Sequence, residues 1–187
     1  GVKMVGGCCG TNPDFIKALR TRLGNRKYRK RDNPKRTAAA SARQTVFFDR
    51  GFRVIGQRIN PSGRKDLADS IRNGDLDPLY EEAVLQKQAG AEILDINVHT
   101  ENSEERDIMA KAVEYIQSMI PIPLQLDSSD YRVLEAGARV YNGKPIINSV
   151  NGTRISMEHV FPVVRKYGGC VIGLPLDENG IPPKAEG

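Results

Sequence analysis

From Phe52 onward the chain alternates short apolar runs with amphipathic stretches at a nearly even spacing. The apolar runs are FRVIGQRIN, AEILDINV, IPLQLDSS, KPIINSVNG and GCVIGLPLD, rich in Ile, Leu and Val and closed by Asn, Asp, Ser or Gly, which is the signature of buried strands. Between them lie DPLYEEAVLQKQAG, SEERDIMAKAVEYIQSMI, YRVLEAGARVY and SMEHVFPVVRKYG. The second of these puts Ile108, Met109, Ala112, Val113, Ile116, Met119 and Ile120 along one helical face. Strand and helix in this alternation predict right-handed βαβ units and a parallel sheet.

Two parallel architectures satisfy that pattern, the doubly wound sheet and the eight-stranded barrel. The glycine-rich dinucleotide fingerprint is missing after the first strand, where GQRINPSG stands instead, and there is no P-loop. The strands end on Asn60, on Asp95 and Asn97, on Asp127, on Asn148 and Asn151, and on Asp177. Any one of these reads equally well as a helix cap or an Asx-turn. In a barrel, however, all carboxyl ends meet at one mouth, and a succession of such ends makes a pocket rich in amides and carboxylates. A (β/α)8 barrel is therefore expected. Only about five of its eight units are legible, so the chain reads as a fragment cut at both ends.

The segment before Phe52 follows another pattern. Val2–Leu23 reads as a short strand VKMV, a glycine-rich loop and a helix capped by Asn12 or Thr11, with Pro13 in its first turn and Phe15, Ala18, Leu19 and Leu23 on its apolar face. The stretch TAAASARQTVFFDRGF lacks steady periodicity. The expected division is the end of one domain over 1–24, a basic linker over 25–51, and an incomplete barrel over 52–187.

Composition adds limits. The chain has 187 residues, 39% hydrophobic and 27% charged, with no apolar run of membrane-spanning length and no signal peptide at its start. Three cysteines are too few for a disulfide scaffold. A soluble, cytoplasmic protein without a membrane partner is expected. The net charge of +5 is local: Arg22–Arg36 holds eight Lys or Arg against Asp32. Its lone Tyr28 offers little surface for stacking bases, which favours a solvated linker over a nucleic-acid site. Two of the three cysteines, Cys8 and Cys9, are adjacent in GGCCGT, a pair open to structural, redox or metal-binding roles.

The stretches GQRINPSGRKDLADSIRNGD, AGAEILDINVHT, PLQLDSSD, IINSVNG and GLPLDENGIP resemble, in order and spacing, the first strands of the methyltetrahydrofolate-binding domain of cobalamin-dependent methionine synthases. GGCCGTNPDFIKAL is similar to the last strand and helix of the homocysteine-binding domain that precedes it in that family. The resemblance implies a methyltransferase that moves a methyl group from 5-methyltetrahydrofolate through cobalamin to homocysteine, giving methionine. It further implies that Cys8 and Cys9 are two of three thiolate ligands to zinc, that Asp127 and Asn148 contact the pterin, and that Asp95, Asn97 and Asn60 line the same mouth. Cobalamin would be bound by another domain or protein, and no catalytic group is expected within the chain itself.

Two positions depart from the family pattern: Gln57 stands where a glutamate is usual, and His99 where a glycine or small residue is usual. A single-domain methyltetrahydrofolate:corrinoid protein methyltransferase is the alternative, against which GGCCGT counts. Dihydropteroate synthase shares the fold but differs in its first-strand signature. A non-catalytic nucleic-acid binder built on the basic stretch is the alternative of another class.

Overall fold

The computed structural model describes residues 4–24, 26–27, 36–49, 51–101 and 103–181. They belong to two compact units, Gly1–Lys35 and Arg36–Gly187. Val2 and Lys3 of the expected first strand, and residues 28–35 of the basic stretch, lie outside the described residues. Among the described residues no helix is long and apolar enough to cross a membrane.

In the first unit Met4 and Val5 form no strand, and among the described residues the one regular element is helix α1, Pro13–Leu23. Asn12, not Thr11, caps it: its Oδ1 accepts from Asp14 N at 3.0 Å and Phe15 N at 3.2 Å. Thr11 is engaged one turn earlier. Its Oγ1 accepts from Cys8 N and its N–H donates to Cys8 O, both at 2.9 Å, closing a turn around the two cysteines. Gly10, at φ 81°, supplies the left-handed residue that turn requires.

The second unit opens on a hairpin, β1 (Ala38–Ala40) paired antiparallel with β2 (Thr45–Phe47). Part of the stretch expected as a linker over 25–51 is thus paired strand. Three alanines in a row carry no hydrophobic alternation, so the strand is invisible to periodicity. Ala39 and Val46 are buried against Ile93 and Ile146. The Tyr141 hydroxyl donates to Ala40 O at 3.0 Å, and the Cys170 thiol donates to Ala38 O at 3.0 Å.

Five strands follow, each where the sequence places one: β3 (Ile55–Ile59), β4 (Ile93–Ile96), β5 (Leu124–Asp127), β6 (Ile146–Asn151) and β7 (Cys170–Leu174). They are joined by helices α2 (Lys65–Arg72), α3 (Asp77–Gln88), α4 (Glu105–Met119), α5 (Tyr131–Val140) and α6 (Arg154–Tyr167). The short α2 buries only Leu67 and Ile71 and escapes periodicity analysis for that reason. All pairings are parallel, and the strand order is β3-β4-β5-β6-β7. A doubly wound sheet would reverse direction at a switch point; sequential order is that of a barrel wall, here of five strands.

Strand alternation sorts the side chains. Leu94, Ile96, Leu124, Leu126 and Ile147 face the helices and pack with Met109, Ile116 and Leu134 in the main core. On the opposite face the first inward positions, Ile55, Ile93, Ile146 and Cys170, meet the hairpin and form an apolar floor. Further along β4, β5 and β6 that face turns polar.

Candidate functional site

The polar layer begins with Asp95 and Gln125, Cα partners in the β4–β5 register. Gln125 Nε2 donates to Asp95 Oδ1 at 2.5 Å. Burial pushes the Asp95 carboxyl up to about 6; the nearby Asp127 charge adds to this, while hydrogen bonds from Gln125 and Asn148 pull it down. One step toward the carboxyl ends, Asp127 and Asn148 are Cα partners across β5 and β6. Asn97 Nδ2 donates to Asp127 Oδ2 at 2.9 Å, and Asn97 Oδ1 accepts from His99 N at 3.0 Å. Asp127 and Asn148 are half-buried, so this end of the layer is open to solvent.

Four of the five residues expected at the mouth, Asp95, Asn97, Asp127 and Asn148, thus belong to one group. Asn60 is employed differently: its Oδ1 accepts from Ser62 N at 2.9 Å in an Asx-turn, and it lines a shallow depression with Gln57, Arg58 and Arg64. Asn151 and Asp177 also serve turns, accepting from Thr153 N at 3.0 Å and Asn179 N at 2.7 Å. Gln57 is exposed.

The rim contains Glu105 and Ser128, which sequence reasoning missed. Glu105, in the first turn of α4, accepts from the Ser128 hydroxyl at 2.8 Å through Oε1 and pairs with His99 Nδ1 at 3.0 Å through Oε2. His99 is therefore tied to α4 and, through its backbone, to Asn97. An acid at a helix start reads as a partner for the helix dipole; only the juxtaposition of the loops after β4 and β5 shows the clasp.

A family model described as pterin binding enzyme matches residues 56–179. The chain belongs to that family. The span that matches the pterin-binding family runs through β3 to β7 and carries the whole polar group. The chain is also 29% identical to the methionine synthase of Mycobacterium tuberculosis (strain ATCC 25618 / H37Rv), in an alignment of 187 residues covering 96% of this chain. It spans 16% of that relative's length.

In the first unit, Cys8 and Cys9 are both exposed with free thiols, their sulfurs 4.0 Å apart. Two thiolates on one tetrahedral zinc stand about 3.8 Å apart, given Zn–S bonds of about 2.3 Å, so the pair fits two of four positions. Among the described residues no group of three or more His, Cys, Asp or Glu is arranged to hold a metal ion. Cys170 belongs to the barrel floor, its thiol turned to Ala38 O.

Proposed function

We propose that this pterin-binding domain holds 5-methyltetrahydrofolate at the polar mouth and serves a methyltransferase of the methionine synthase type, with homocysteine as the eventual acceptor. What supports the reading is the convergence of Asp127, Asn148, Asn97 and Asp95 from three neighbouring strands on the face where a barrel carries its ligand.

A pterin presents an amino-oxo pyrimidine edge bearing N–H donors. Asn97 occupies Asp127 Oδ2 and leaves Oδ1 to accept from that edge. Asn148, whose amide N–H is directed at Asp95, offers its oxygen beside it. Both groups are backed by strand hydrogen bonds, so they are oriented before the ligand arrives. The methyl donor is a tertiary amine and a poor leaving group, so its transfer requires a proton on the pterin nitrogen near the transition state.

No described residue is assigned to the corrinoid, which in this reading another domain or protein carries as the first methyl acceptor. Cys8 and Cys9 would hold two positions of a zinc ion, whose chemistry is to deliver a substrate thiol as thiolate at neutral pH.

Titration calorimetry of the purified protein with 5-methyltetrahydrofolate tests the site. Asp127→Ala is expected to weaken binding by roughly 1.5 to 3 kcal/mol, the worth of a hydrogen bond to a charged group, and Asn148→Ala by about 1 kcal/mol. Unchanged affinity in both variants sinks the assignment.

A further inference from the structure

At the base of the mouth a buried carboxyl meets a buried amide whose oxygen is short of a partner. Asp95 is 1% exposed and Gln125 6% exposed. Gln125 Nε2 donates to Asp95 Oδ1, yet Gln125 Oε1 is buried with no donor reaching it. The groups acting on Asp95 are Gln125 and Asp127 from β5 and Asn148 from β6. On the same face β3 presents Ile55 and Gln57, β7 presents Cys170 and Ile172, and the hairpin presents Ala39 and Val46. None of these is a cation, and one is a second carboxylate. An ionised Asp95 would sit dehydrated beside a like charge.

We propose that Asp95 is a positioning residue that works as a neutral acid: its proton goes to Gln125 Oε1, closing an acid–amide pair that leaves Asp127 the single negative charge at the mouth. N–H donation from Gln125 and Asn148 favours the carboxylate, and the pair closes only if Gln125 accepts as well as donates. Burial already raises the Asp95 carboxyl to about 6 with the mouth open to solvent. A ligand seated over Asp127 and Asn148 removes more water and raises it further, so binding takes up a proton. The nature of that ligand rests on the pterin reading above; the proton does not.

The neutral isostere separates the two protonation states. Asp95→Asn can accept from the Gln125 N–H and donate to its Oε1, but it cannot ionise. In the wild-type protein 5-methyltetrahydrofolate binding is expected to weaken as pH rises from about 5 to about 8, approaching about 100-fold if coupling is complete. In Asp95→Asn it should stay within about twofold of the low-pH wild-type value throughout. Loss of about 10-fold or more in Asp95→Asn at every pH, as a working carboxylate demands, overturns the proposal. A wild-type profile no steeper than the variant's does the same.

Infrared difference spectra of the ligand-free protein give a second readout. A carboxylic-acid carbonyl band should titrate in the wild type, be missing from Asp95→Asn, and titrate at lower pH in Asp127→Asn, where the like charge is gone. If neither protein binds the folate, the pterin reading falls while this band still decides the proton. A wild-type spectrum at about pH 5 identical to that of Asp95→Asn overturns the inference.

Discussion

Asp95 and Asp127 lie on adjacent strands of one face and differ in how much water reaches them. Because burial lifts Asp95 from 3.8 to about 6, the folded chain keeps a proton that the unfolded chain has released. The stability tied to that proton is complete below about pH 4 and is lost as pH rises through about 6. Asp95→Asn, which carries no charge to bury, should therefore match the wild type near pH 4 and exceed it at pH 8 by an amount on the order of 3 kcal/mol. Urea unfolding of both proteins at the two pH values measures this; a difference that does not grow with pH contradicts it. At this scale the sequence was informative about type and silent about use. It placed amides and carboxylates at strand ends, but could not tell Asn60 and Asn151, whose acceptors reach an N–H two residues on, from Asp127 and Asn148. Gln125 looked like an ordinary strand position because its partner is fixed by register with β4, which no local pattern encodes.

The five strands and four of their helices were legible because each buries one apolar face at a constant period, and α1 because Asn12 and Pro13 announce its start. The hairpin was not, because small residues hide the alternation. Its docking depends on a close approach at Gly143, where an added Cβ would stand 2.1 Å from Ala40 O and must displace the backbone. Gly143→Ala is accordingly expected to lower stability by about 1 to 3 kcal/mol, the range for overpacking a well-fitted contact. Thermal unfolding checks it, and a melt identical to wild type shows that the hairpin does not depend on that contact. A second anchor fixes β3 to α3. Glu82, buried, takes Arg58 Nε at 3.2 Å and Arg64 Nη1 at 2.9 Å, while Gln86 Oε1 takes Arg58 N at 2.9 Å where the strand's register shifts.

Over the whole Arg36–Gly187 unit, the sheet is made of neighbours in sequence and the hairpin is not. Each strand pairs with the one synthesised just before it, so the wall can grow in the order in which the chain is made. The hairpin comes first, yet its hydrogen-bond partners Tyr141 and Cys170 come 101 and 132 residues later. Ala40 N donates to Lys144 O at 2.9 Å, and Lys144 N returns a bond to Ala40 O at 2.8 Å. Closing so long a loop is entropically expensive until the intervening sheet has brought the ends together. In pulsed hydrogen exchange during refolding, the Ala40 amide is expected to gain protection after the amides of β4 and β5; simultaneous protection would mean the hairpin docks on a less complete sheet. During synthesis, then, the earliest-made strands of this unit wait for the latest, and β1 stays an open edge exposed to chaperones and neighbouring chains until β6 and β7 arrive to cover it.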